Sequence, residues 1–61
     1  MAYEHKGEHD KAIADYTDAI RLDPKLTEAY YGRGVAYWHN DQHDKASEDF
    51  NQAKKLGYKP K

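Results

Sequence analysis

Shifted by 34 residues, the chain falls back onto itself without a gap. Ala2, Tyr3, His5, His9 and Asp10 meet Ala36, Tyr37, His39, His43 and Asp44. Lys11, Ala12, Asp15, Ala19, Leu22 and Lys25 meet Lys45, Ala46, Asp49, Ala53, Leu56 and Lys59 in the same register. No single residue constrains the fold as much. A fixed period of this size belongs to helical solenoids, in which one unit has an apolar face that it cannot bury alone and must stack on a neighbour. The question of function becomes a question about surfaces.

Sixty-one residues make at most one small domain, which buries only about 60% of its unfolded surface and is correspondingly marginal. There is no Cys, so neither a disulfide framework nor a Cys-based zinc site is available. The formal net charge of -1, with both signs mixed along the chain, gives no electrostatic reason to bind nucleic acid or an anionic membrane. The longest apolar stretch, Val35 to Trp38, is far too short to span a bilayer. Met1 to Asp10 carries charges where a secretory signal has an apolar core. The expectation is a soluble, cytoplasmic chain with no membrane or nucleic-acid partner.

From Asp10 to Leu22, Ala12, Ile13, Tyr16, Ala19 and Ile20 fall at i, i+1, i+4, i+7 and i+8, which is one stripe of an α-helix. Asp23-Pro24 ends it, because proline lacks a donor and restricts the residue before it. Thr27 is the expected N-cap of a second helix, from about Glu28 to His39. In that helix Ala29, Gly32 and Ala36 share a small-residue face that lets a neighbour approach closely. Gly32 and Gly34 each cost roughly 1 kcal/mol of helix propensity, which close packing must offset. Asn40-Asp41 closes the helix, since both residues tolerate the left-handed conformation of a C-terminal cap, and Gly7 holds the matching place one unit earlier. A third helix runs from about His43 to Leu56, with Ala46, Phe50, Ala53 and Leu56 inward and Gly57 at its end. Residues 2–6 are expected to be the end of a preceding helix, and the tail from Tyr58 to Lys61 to fray.

Tyr30-x-x-Arg33-Gly34-x-x-Tyr37 followed by Ala46-x-x-x-Phe50 resembles the tetratricopeptide repeat, whose pattern closes on a proline. The earlier unit fits through Tyr3, Ala12-x-x-x-Tyr16, Ala19 and Pro24, and Ala53 repeats Ala19. The resemblance divides the chain into a truncated first repeat (1–24), a complete one (25–58) and a tail (59–61). It departs from the pattern at Arg33, which replaces a leucine and weakens the expected fit of that helix on its partner, and at Tyr58, which replaces the closing proline. The implied fold is all-α: antiparallel helix hairpins stacked as a short right-handed α-solenoid. The implied activity is non-catalytic binding of a protein or peptide on the concave face, with no cofactor. On this register the groove residues are Glu28, Tyr31, Val35, Trp38 and His39, with Glu4 and His5 beside them. Family members that clamp a C-terminal carboxylate use lysines, an arginine and asparagines, where this chain has Glu28, Tyr31, Gly32 and Val35, so that clamp is not expected here.

Tyr31, Val35 and Trp38 form an apolar stripe opposite Ala29 and Ala36. It reads either as a recognition surface, since aromatics anchor interfaces, or as packing against core or another copy of the chain. The pairs His5 with His9 and His39 with His43 have the i, i+4 spacing of metal ligands. Each pair straddles an expected turn, at Gly7 or Asp41, so no metal is assigned. Asp10, Asp15, Asp18, Asp44, Glu48 and Asp49 are placed on solvated outer faces, with no nucleophile, base and orienting group brought together. An RNA-binding helical repeat is the rival from another class, but only Arg33 and Lys45 supply cations near the groove.

Solenoids usually need three or more repeats, and this chain has fewer than two. Ile13 and Ile20 lack most of the surface that would cover them. The expected folded species is therefore a homo-oligomer, a symmetric dimer in its simplest form. Such a dimer could exchange hairpins if the turn at residues 40–43, or at Gly7, straightens. The alternative is a fragment of a longer repeat scaffold that does not fold alone.

Overall fold

A computed structural model describes residues 6–58. They form three α-helices: α1 (Lys6–Leu22), α2 (Thr27–His39) and α3 (His43–Lys55). Two short turns, 23–26 and 40–42, fold the helices back antiparallel. The C-terminal end of α2 meets the N-terminal end of α1 through the Asn40 side-chain amide, which donates to the Asp10 carboxylate at 3.3 Å. At the other end Tyr31 of α2 meets Tyr58, just beyond α3. Among the described residues α2 packs on both α1 and α3, and those two do not pack on one another.

The helices touch along small residues. Ala29, Ala36, Ala46 and Ala53 are buried, and Gly34 with them. A Cβ on Gly34 would lie 2.6 Å from the Phe50 ring, so the missing methyl is what lets that ring lie across α2. Gly32 receives the tip of the Tyr16 ring from α1 in the same way. No large side chain is fully buried among the described residues, because rings flank the Ala/Gly contacts instead of entering them. Ile13 and Ile20 are half-buried, and Leu22 is 87% exposed.

Both turns that close α2 and α3 are left-handed caps. Asp41 has φ 63° and Gly57 φ 101°. In each, the amide of the residue after the left-handed one reaches back five positions, Gln42 N–H to the Tyr37 carbonyl and Tyr58 N–H to the Ala53 carbonyl, both at 2.9 Å. The Asp41 and Gly57 amides reach back three, to Trp38 and Lys54, which completes the motif and satisfies carbonyls the helix leaves open.

Two expectations about helix ends are corrected. The turn at Gly7 does not form: α1 begins at Lys6 and continues through it. Around Asp41 the Asn40 amide bonds Gln42 at 2.9 Å as well as Asp10, and its counterpart position holds Lys6, which has no such amide. A lone glycine inside a helix costs only about 1 kcal/mol, which α1 tolerates. Residues 2–5 of the expected preceding helix lie outside the described residues. Thr27 is not the N-cap of α2 either: that position is Leu26, with extended φ -78° and ψ 92° and no side-chain cap bond. The Asp23-Pro24 turn shifts the start by one residue. Asp23 accepts from the Lys25 amide at 3.2 Å and from the Leu26 amide at 3.0 Å, and the Leu26 carbonyl then receives Ala29 and Tyr30.

Candidate functional site

Tyr31, Val35 and Trp38 recur every turn of α2 on the side away from Ala29 and Ala36, so the face left to solvent is apolar. Tyr31 stacks on Tyr58, with centroids 4.6 Å apart and planes at 14°, and tilts against Phe50 at 5.4 Å. Trp38 leans on the His43 ring at 4.1 Å and stays 50% exposed. Tyr31 is 37% exposed and Val35 half-buried.

Two shallow hollows flank Val35. One, of about 340 Å³, is lined by Tyr16, Glu28, Tyr31, Gly32, Val35 and Tyr58. The other, of about 310 Å³, is lined by Val35, Trp38, His39 and Phe50. All five groove residues expected on α2, namely Glu28, Tyr31, Val35, Trp38 and His39, therefore line one continuous face. Glu4 and His5 lie outside the described residues. Tyr16, Phe50 and Tyr58 line the same hollows, which spacing along the chain does not show. Tyr16 and Phe50 belong to the repeat signature, but the glycines they cross, Gly32 and Gly34, carry them past α2 to this face. Tyr58, which replaces the closing proline, is expected from sequence to begin a fraying tail. The structure instead caps α3 with its amide and stacks its ring on Tyr31.

Among the described residues His39 and His43 do not pair as their spacing suggests, and His5 lies outside them. His39 stacks on His9 of α1 at 5.6 Å, and His43 tilts against Trp38 at 4.1 Å. Among the described residues no group of three His, Cys, Asp or Glu side chains is placed to hold a metal ion.

Between the helices lies a polar tie that overturns two expectations. Arg33 does not weaken the packing of α2. Its Nε donates to Asp49 Oδ2 at 2.7 Å, its Nη2 to Asp49 Oδ1 at 2.8 Å, and its Nη1 to Thr17 Oγ1 at 3.2 Å. One guanidinium thus joins all three helices, and the Tyr30 and Tyr37 rings flank it at 5.8 Å. Asp49, expected on a solvated face, is 5% exposed. The bidentate hydrogen bonds that Arg33 donates to Asp49 raise the Arg33 pKa above its ordinary value against the opposing effect of burial, so this arginine is charged at every physiological pH. Lys45 Nζ lies over the Tyr37 ring, 5.7 Å from its centroid. Of the remaining signature residues, Ala12 and Ala19 are half-buried, Pro24 sits in the turn after α1, and Tyr3 lies outside the described residues.

Antiparallel helices joined through Ala/Gly contacts, with left-handed caps closing α2 and α3, define an α-hairpin repeat. The chain belongs to the tetratricopeptide repeat family: a family model described as TPR repeat matches residues 2–41, and one described as tetratricopeptide repeat matches residues 27–56. No curated protein and no solved structure matches it. Repeats of this family are generally protein-interaction modules and are generally not catalytic. Among the described residues no helix is long and apolar enough to cross a membrane.

Proposed function

We propose that the chain is a non-catalytic interaction module that binds a peptide or partner helix on the face of α2 formed by Glu28, Tyr31, Val35, Trp38 and His39, with Glu4 and His5 continuing it. Residues 1–24 act as part of one repeat, 25–58 as a complete repeat and 59–61 as a tail. One observation carries the reading. Tyr31 and Trp38 remain exposed on the face opposite the buried Ala29 and Ala36, and they bracket two apolar hollows. Aromatic side chains in that position bury large areas at small entropic cost when a partner arrives.

A second reading, association with another copy of the chain, is favoured by the exposed Leu22 and by a core whose buried hydrophobic members are all alanines. Light scattering behind size exclusion, over a hundredfold range of concentration and with circular dichroism on the same fractions, separates the two. A concentration-dependent dimer that Trp38→Ala disperses supports self-association through this face. A compact helical monomer at low micromolar concentration removes the dimer and leaves the face open to a foreign segment. If Trp38→Ala changes neither mass nor peptide binding, the assignment of the face is wrong.

A further inference from the structure

Glu28 lies at the rim of the larger hollow, and it is the only formally charged residue among those lining it. The other lining residues include three tyrosines, Tyr16 from α1, Tyr31 from α2 and Tyr58 from beyond α3. Glu28 is exposed, and no ion pair or hydrogen bond engages its carboxylate among the described residues. A carboxylate beside several aromatic rings is chemistry that attracts a cation. The ring quadrupole is negative over its face, so a tyrosine face and a carboxylate act in the same sense on a cation. The smaller hollow carries no carboxylate and is built from Val35, Trp38, His39 and Phe50, which suits an apolar side chain. The rise of an α-helix puts Tyr31 and Trp38, seven residues apart, about 10 Å apart along α2.

We propose that this face selects a peptide segment with a lysine or arginine for the Glu28–tyrosine hollow and an apolar side chain for the Trp38 hollow, about 10 Å apart. The inference rests on the interaction-face reading above and names its partner. The partial positive charge at the N-terminus of α2 opposes Glu28, but it amounts to about half a unit charge against a full one, so the hollow keeps its preference.

The test is selection of a displayed library of random 12-residue peptides on the full chain, followed by titration of selected peptides into wild type and variants whose helicity is checked by circular dichroism. Selected peptides are expected to be enriched in Lys or Arg near an apolar residue. Replacing that basic residue by norleucine should weaken binding about five- to thirtyfold, the sum of an exposed ion pair and a cation–aromatic contact. Glu28→Gln should weaken it about two- to fivefold and flatten its salt dependence, while Tyr16→Leu should weaken it without changing that dependence. Peptides that bind through apolar residues with no basic enrichment, or that ignore both variants, overturn the cationic partner and leave the interaction face standing. If no selected peptide loses affinity with Trp38→Ala, the face itself is misassigned and the proposal falls with it.

Discussion

Replacing Arg33 by the leucine of the family pattern should damage this protein, although leucine is the more apolar residue. The side chains of Arg33 and Asp49 are 19% and 7% exposed, and their contact is a two-bond fork. Arg33→Leu deletes both donors and leaves the Asp49 carboxylate enclosed without a cation. Breaking a buried pair in this way costs about 3–5 kcal/mol, and the residual solvent access of Arg33 brings the expectation to about 2–4 kcal/mol. Thr17 adds little, since its hydroxyl keeps its own bond to the Ile13 carbonyl at 2.7 Å. At roughly 0.05–0.15 kcal/mol per residue, a chain of 61 residues has a total stability of about 3–9 kcal/mol, so the variant loses about a fifth of it or more. In urea, followed by circular dichroism, the midpoint should fall by roughly 2 M. The double variant Arg33→Leu with Asp49→Leu removes the orphan charge and should return to within about 1 kcal/mol of wild type. A single variant as stable as wild type, or a double variant as damaged as the single, would refute the reasoning. The raised pKa of Arg33 fixes the pH dependence too: its contribution is complete below the unfolded value and is lost only as pH rises through the folded one, deep in alkali. The gap between wild type and Arg33→Leu should therefore not shrink between pH 7 and pH 10.

The two helical glycines should respond differently to alanine. Gly34→Ala should cost about 1–3 kcal/mol in thermal unfolding despite its better helix propensity, because the new Cβ meets the half-buried Phe50 ring and the Ala46 carbonyl at 3.3 Å. Gly32→Ala should be neutral to about 1 kcal/mol stabilising, since what it meets is the far end of the exposed Tyr16 side chain, which can swing aside. Asp41→Gly should raise the melting temperature by a few degrees by relieving a side chain held at φ 63°, whereas Asp41→Val should lower it. Tyr58→Pro, the change that restores the closing proline of the family, should destabilise by about 1–2 kcal/mol in urea titration. It removes both the amide that caps α3 and the ring stacked on Tyr31.

Sequence by itself determined the helices and where α2 and α3 end, because those features are local. Apolar spacing, proline after Asp23, and Asp41 and Gly57 at left-handed positions act within a few residues of chain. It also determined that Tyr31, Val35 and Trp38 share a face, since helical geometry allows nothing else. Tertiary structure decided what residues of the same register become. Asp15 and Asp49 are repeat equivalents, yet Asp15 is exposed and Asp49 buried, because only Asp49 has Arg33 opposite it. Gly7 and Asp41 are equivalents too, yet only Asp41 turns the chain, because Asn40 finds partners in Gln42 and Asp10. Tyr16 and Tyr58 entered the groove through contacts with Gly32 and Tyr31, 16 and 27 positions away in the chain. Periodicity reports which side of a helix is apolar; the identity of the neighbour across the gap, and so the partner of a charge or a ring, is set only when the helices meet.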